Sequence, residues 1–573
     1  MLRSRLAPFV GAGLLATALI LGVHVSDAFS GSDDVQQLRK IEEAYAIITR
    51  EYVERVDSAQ LAADAIEGML KGLDPHSVYV SAEEMNAVRE SFNATFDGIG
   101  IYFEFVEGAS GRDTLVVLMP IAGGPSEEAG LEAGDRIVEI DGTPAIGISA
   151  EQVQRSLKGP RGTQVRLQVR RPGFRQPLDF TITRDRIPLN TVIATYMIDE
   201  QTGYVRLQRF ARTSAEEVRA SIASLRAQGM QRLVLDLRDN AGGLLDQAFS
   251  IADEFLPAGQ MIVYTDSRHA RNRRQFVSTG GGAFEQGALI VLLNENSASA
   301  SEIVAGALQD HDRALIVGRR SFGKGLVQQQ FPLSDGSVVQ MTVSRYYTPV
   351  GRLIQTPYTL GGGEEAYAAG KRALRDSLDA RLAPGGGFVD AARAGQGLPD
   401  SLIFRTDGGR QVYGGGGILP DYLVPADSLS AALRTVIGRG LDNEFARVRL
   451  EQLGERFRRE WTGRQDAFVR SYRLDDAAFE AFLAYAADHG VPVVNARSGA
   501  SRETVLVRSE AEAARADIEL RIKAFMARRL YGVDAFYPVI GQLDRTLVQA
   551  VTLWDSAQAL AQASAARAPQ RRR

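Results

Sequence analysis

The sequence predicts a multidomain α/β protein: an α/β core with an inserted β-rich domain, an N-terminal helical segment and a C-terminal helical region. Three observations predict it. Strand-like apolar runs alternate with helical stretches from Thr202 to Tyr347, the pattern of a sheet with covering helices. Short β-type runs broken by glycine and proline fill Thr95 to Thr183, and helical periodicity fills both flanks. The chain has 573 residues, enough for three or four domains at about 150 residues each.

At the N-terminus, Arg3 and Arg5 precede an apolar run from Phe9 to Val23 broken only by Thr17, with small residues at Ser26 and Ala28. This reads as a secretory signal, because about 15 apolar residues fall short of the ~20 that a spanning helix needs. An uncleaved anchor is the alternative, since Leu6 and Ala7 extend the run. Either way the body of the protein is exported.

From Val35 to Leu73, Leu38, Ile41, Ala44 and Ile48 recur at helical steps, and Gly72-Leu73-Asp74-Pro75 predicts a turn. Thr114–Met119, Arg136–Ile140 and Gln164–Arg170 read as strands, with a tight turn at Asp141-Gly142. In the core, Leu233–Leu237, Ala288–Leu293 and Ala314–Val317 read as buried strands. The first leads through Arg238-Asp239-Asn240-Ala241-Gly242-Gly243 into a helix reaching Phe255, and the second through Ser297–Ser301 into a helix reaching Leu308. Val327–Pro332 and Ser337–Tyr347 predict a hairpin. Residues 360–400 predict an insertion with one helix, and the chain past Ser428 is mostly amphipathic helix ending in Arg571–Arg573.

Composition narrows the chemistry. Basic and acidic residues number 66 and 70, a net charge of −4 with no bulk attraction to nucleic acid. The absence of cysteine excludes disulfides, iron–sulfur clusters, thiolate zinc sites and a cysteine nucleophile. Five histidines (His24, His76, His269, His311 and His489) argue against a histidine-rich metal site, and no cofactor is called for. Only six of the 66 basic residues are lysines, so each lysine invites the question why arginine would not serve.

Two segments carry chemistry. Ser297, Ser299 and Ser301 alternate with alanines just after a buried strand. A serine at a strand-to-helix turn presents its hydroxyl beside the free amides of the helix start, which can bind an oxyanion. Ser299 with Glu302 also fits a plain capping box. The second segment, Gly318 to Gly325, matches G-x-x-x-x-G-K but has Gly325 where a phosphate loop needs Ser or Thr, and it runs on as strand. What remains is Lys324 between two glycines. Arginine does not give up its proton, whereas a buried lysine does. Moving a lysine from about 10.4 to about 7 costs roughly 4 to 5 kcal/mol, which desolvation supplies. A surface lysine in a mobile turn is the structural alternative.

A histidine base for Ser299 stays open at this level. His311 lies 12 residues downstream on the same helix, about 18 Å away and out of reach, but spacing does not exclude His76 or His269. Asn240-Ala241-Gly242-Gly243 either aims backbone amides at a carbonyl or ends a strand.

Taken together, these stretches resemble the carboxy-terminal processing, or tail-specific, serine protease family with a PDZ domain, over Val35 to Val424. The resemblance rests on Gly72-Leu-Asp-Pro-His-Ser-Val-Tyr79, Asp236-Leu-Arg-Asp-Asn-Ala-Gly-Gly243, Ser297-Ala-Ser-Ala-Ser-Glu302 and Phe322-Gly-Lys-Gly325 with Gln328. It implies Ser299 as nucleophile, Lys324 as base and Gln328 as its support. It also implies an oxyanion hole from the amide of Ala300 and that of Gly242 or Gly243. Asp310 matches an acidic position of relatives and is assigned to structure. Phe96 to Pro172 resembles the family's PDZ domain, with Gly98-Ile99-Gly100-Ile101 as the loop that receives a terminal carboxylate and Ala129 to Asp135 strengthening the match.

The expected organisation is a signal or anchor at 1–28, a helical segment at 29–94, a PDZ domain at 95–185, a protease core at 186–427 and a helical region at 428–573. The implied function is an exported serine endopeptidase, periplasmic or anchored at the outer face of a bacterial inner membrane. It would act by a Ser–Lys dyad on unfolded or tail-exposed polypeptides. The rivals are a non-catalytic PDZ scaffold and a Ser–His hydrolase. Two departures from shorter relatives stand out: the insertion between Tyr347–Arg352 and Gly414–Asp421, and the helices after 428, whose role is open between packing on the core, an oligomer contact and an adaptor surface.

Overall fold

The computed structural model describes residues 32–107, 113–121, 123–171, 173–382, 386–390, 399–496 and 504–567. The leader from Arg3 to Ala28 lies outside them. No helix among the described residues is long and apolar enough to cross a membrane.

The N-terminal segment forms α1 (Ser32–Glu51) and α2 (Ser58–Leu70), the second capped by Asp57, whose carboxylate accepts from Ala59 and Gln60 N–H. The helical periodicity holds, yet Leu38, Ile41 and Ile48 on α1 are exposed, so no core among the described residues lies beneath them. The turn at Asp74 then inserts into the body. Its buried carboxylate accepts from His76 N–H (2.9 Å) and from the hydroxyls of Ser77 (2.7 Å) and Thr342 (3.0 Å). After it come strand β1 (Val78–Val80) and helix α3 (Ala82–Asn93), which opens with a Ser81–Glu84 capping box.

Strands Thr95–Gly98 and Asp185–Pro188 pair antiparallel, so the β-rich unit leaves and rejoins the chain through one stalk. Within it, β2 (Ile101–Glu107) edges a six-stranded sheet and α4 (Ala150–Leu157) closes one side over an apolar core that includes Leu115, Val117, Ile137 and Val165. Asp141 and Gly142 take φ of 48° and 79° in the two-residue hairpin turn foreseen there, a geometry that aspartate and glycine tolerate best.

The core is built on a seven-stranded sheet. Its edge strand β3 (Val192–Met197) pairs antiparallel with β4 (Thr202–Leu207), which precedes helix α5 (Ser214–Ala227). Next comes β5 (Arg232–Asp236), parallel to β4 and followed by α6 (Leu245–Asp253). Strand β6 (Leu289–Leu293) leads to α7 (Ala300–Asp310) and then β7 (Leu315–Gly318), both strands parallel to their neighbours. A hairpin of β8 (Leu326–Pro332) and β9 (Val338–Tyr347) belongs to a second sheet, where β1 pairs with β9 and ties the N-terminal segment to the core. Helix α8 (Gly363–Leu382) lies in the insertion, and β10 (Tyr422–Leu423) returns parallel to β7.

The apolar runs are continuous because both sheet faces are buried. Leu233, Leu235, Leu289, Val291, Leu293 and Ile316 face α5, α6 and α7. Val234, Ile290, Leu292, Leu315 and Val317 face the end of the chain, where α10 (Arg545–Ala550) and α11 (Trp554–Arg567) lay down Leu547, Ala550, Trp554 and Ala557. Between Ala431 and Ile540 the C-terminal helices, including α9 (Arg515–Tyr531), build a separate apolar core. The region after 428 is thus two things: a helical bundle, and the second covering layer of the central sheet.

Candidate active site

Three turns converge at the carboxyl ends of β5, β6 and β7. Of the three alternating serines, Ser297 and Ser301 are fully buried and donate to the carbonyls of Leu237 and Asn240, each at 2.9 Å. Those bonds fasten the serine turn to the glycine turn. Ser299 differs: it is part-exposed, and its hydroxyl bonds no other side chain among the described residues. Its backbone sits at φ 55°, ψ −110°, a strained position for a residue with a Cβ, held by the packing around it.

Glu302, one turn into α7, is the hub. It is fully buried, and its Oε2 accepts both Ser299 N–H (2.8 Å) and Lys324 N–H (2.9 Å). Its Oε1 accepts the Ser321 hydroxyl (2.5 Å) and Gly323 N–H (2.7 Å). Burial pushes this carboxyl up to about 7 against the downward pull of those four donors. On the other side, the buried Tyr346 hydroxyl lies against the Lys324 carbonyl and 3.2 Å from the Ser299 carbonyl. One carboxylate oxygen and one phenol therefore hold the backbones of Ser299 and Lys324 in a common frame. Burial depresses the Lys324 ammonium below its usual range, while Glu302 and Asp74 pull it back up. Ser299 Oγ and Lys324 Nζ do not hydrogen-bond each other among the described residues.

At the glycine turn, Gly242 has φ 97°, and a Cβ there would stand 2.8 Å from Ser299 Cβ and 3.0 Å from Ala300 N. Only glycine lets the turn approach so closely. The Gly242 N–H is committed to Asn240 Oδ1 (2.9 Å), while the Gly243 N–H has no partner among the described residues. Ala300, buried, starts α7.

The other predicted residues separate. Gln328 Nε2 donates to the His76 carbonyl (3.0 Å), so it braces the Asp74–Ser77 turn against β8. His76 lies beside Lys324; burial first, then the lysine charge, lower its imidazole to about 4, and its buried Nε2 has no partner among the described residues. His311 caps the far end of α7 with its ring between Asp407 and the Met261 carbonyl, and His269 is exposed. Asp310, also at the far end, is fully buried against Arg352. Sequence reasoning gave Glu302 only as a cap and did not single out Tyr346, which belongs to no motif.

A cavity of about 240 Å³ runs between β2 and α4, lined by Ile99, Ile101, Phe103, Val153 and Leu157. At its end the carbonyls of Ile99 and Gly100 are tied to Ser126 and Ile121 N–H, whereas the amide of Gly100 donates to nothing among the described residues. Lys158, at the rim, is paired with Glu90 of α3 at 2.6 Å. An apolar slot ending in a free amide suits an extended peptide with a terminal carboxylate.

Three stretches of the chain match known protein families. Residues 201–360 match peptidase family S41, residues 116–171 a PDZ domain, and residues 22–84 the N-terminal domain of the activating protease CtpB. The carboxy-terminal-processing protease of Bartonella bacilliformis is 38% identical over 351 residues, which span 61% of this chain and 79% of that protein. The chain belongs to the carboxy-terminal processing protease family. CtpB of Bacillus subtilis is 33% identical over 357 residues, 60% of this chain and 73% of that protein. A solved structure of the photosystem II D1 C-terminal processing protease aligns at 33% identity over 55% of this chain and 89% of that one, with a TM-score of 0.31. Membership makes this protein a serine-type peptidase with a PDZ domain and sets aside the scaffold reading. The S41 match stops at residue 360, just short of α8.

Proposed function

We propose that this family member is an exported endopeptidase that recognises polypeptides through their C-terminal tails and cleaves them with a Ser299–Lys324 dyad. The observation that carries the reading is the shared frame: Glu302 Oε2 accepts from the amides of both residues, and the lysine beside it is desolvated. Neutral Lys324 takes the Ser299 proton as Oγ attacks the scissile carbonyl. The oxyanion is received by Ala300 N–H and by Gly243 N–H, the glycine amide that Asn240 leaves free. The lysine then gives its proton to the leaving amine, and water attacks the acyl-enzyme with the same amine as base. Gln328 positions the turn that walls this site. The two reactive atoms come within bonding distance when substrate closes the cleft, as catalytic hydrogen bonds often do. The leader from Arg3 to Ala28 supports export.

The test is labelling by a fluorophosphonate, with digestion of one unfolded protein bearing a free or a blocked C-terminus. Wild type should label and should cut the free-tailed substrate faster; Ser299→Ala should do neither. Lys324→Arg keeps the charge and loses the base, so its labelling should fall by at least about 10²-fold. Retained activity in Lys324→Arg would refute the dyad. Activity lost instead on replacing His76 alone would favour the histidine reading.

A further inference from the structure

Helix α8 begins at Gly363, beyond the end of the S41 match at residue 360. Among residues 363–373 Tyr367 alone is buried, at 7% exposure. Its hydroxyl donates to the Gly323 carbonyl (3.4 Å) and accepts from Gln355 Nε2 (3.2 Å). Gln355 Oε1 in turn accepts Gly325 N–H (2.8 Å), and Thr356 N–H donates to the Gly323 carbonyl (2.9 Å). Both glycines flanking Lys324 are therefore held by one clasp, of which Tyr367 is the outer half. Its ring meets His76 edge-on at 5.2 Å, and one turn later Lys371 Nζ sits over the Phe322 ring. Tyr367 thus reaches the lysine loop from α8, as Glu302 reaches it from α7 and Tyr346 from β9.

We infer that Tyr367 is a positioning residue for Lys324: its hydroxyl fixes the Gly323–Gly325 loop, and its ring keeps water from the amine. This rests on the Ser299–Lys324 reading. The charged groups that act on the amine are Glu302 from α7 and Asp74 from the turn before β1, and the amine in turn acts on His76 of that turn; Tyr346 from β9 meets the Lys324 carbonyl, Lys371 from α8 acts on His76, and Tyr358 acts on Tyr367. Glu302 and Asp74 favour the ammonium and burial opposes it, so removing the Tyr367 ring hydrates the amine and returns it toward its usual range.

The test uses the full chain, comparing wild type, Tyr367→Phe, Tyr367→Leu and Lys324→Arg by fluorophosphonate labelling rate against pH, and by kcat and KM on a tail-bearing peptide. Tyr367→Phe keeps the ring and loses the clasp, so kcat should fall about 3- to 10-fold with KM and the acid limb unchanged. Tyr367→Leu removes the ring, and the acid limb of labelling should move up by about one pH unit. Wild-type kcat in Tyr367→Phe and a wild-type limb in Tyr367→Leu, with Lys324→Arg inactive, would overturn the inference and leave the dyad standing. An active Lys324→Arg would overturn the dyad itself. Should Tyr367→Leu not fold, Tyr367→Phe decides alone: wild-type kcat overturns the inference, and a lowered kcat at unchanged KM supports it.

Discussion

Glu302 is the residue on which the site turns. Each of its oxygens receives two donors, so an amide in its place must aim an NH₂ at two N–H or O–H groups whichever way it lies. Ser321 gives only partial relief: its oxygen, which already accepts Ile418 N–H at 2.6 Å, has a second lone pair to offer, but Gly323 N–H would still face the NH₂. Glu302→Gln should therefore push the Ser299 turn and the Lys324 loop apart and lower kcat by about 10²-fold, measured on a tail-bearing peptide. Stability gives an independent check. A carboxyl raised from 4.5 to about 7 keeps its proton in the folded state where the unfolded chain has lost it. Its stabilising effect is full below about pH 4.5 and is lost as pH climbs through about 7. Urea midpoints of wild type should fall across that window relative to Glu302→Gln, and parallel curves would refute the raised carboxyl. Ser299, Lys324 and the glycine turn were legible because they sit in motifs with strong local character. Tyr346 and Tyr367 were not, since each acts across a fold-made contact that leaves no local pattern.

At the scale of elements, the peptide slot shows what a period and a turn signal determine. Alternation in Gln164–Arg170 and the Asp141-Gly142 turn specify strands and register, and the structure follows them closely. The slot itself depends on how far α4 stands from β2, which no periodicity encodes. The proposal that a terminal carboxylate binds there allows a test that leaves the apolar core intact. Gln154 lines the slot from the exposed side of α4. Gln154→Glu puts a negative charge near an incoming carboxylate without burying it, so affinity for free-tailed peptides should drop about 3- to 10-fold at low salt and recover as salt screens the charge. Fluorescence anisotropy with free and amidated versions of one peptide measures this. An equal loss for both would show that the slot does not read the terminal charge.

For the whole molecule, the decisive fact is that the chain's end completes its middle. Strands β5, β6 and β7 carry apolar residues on both faces, and the sequence shows this as unbroken runs, but it does not say which helix covers the second face. An amphipathic helix advertises a need for a partner without naming it. The structure supplies α10 and α11, and Asp544 fastens them. It accepts Leu547 N–H at the start of α10 (3.0 Å) and the Arg238 guanidinium (2.9 Å), which itself holds the buried Asp236 at the base of the glycine turn. Trp554 is buried over Ile290 and Leu292, with the Arg232 guanidinium 4.8 Å from its ring. Trp554→Ala should cost about 3 to 5 kcal/mol of stability by the cavity it leaves, read from urea unfolding. A chain ending at Leu543 leaves Val234, Ile290, Leu292 and Val317 bare and Arg238 without its second carboxylate, so it should be insoluble or protease-sensitive through the core. A soluble, fully active truncation would show that α10 and α11 are appendages, and the second layer assigned to them would fall.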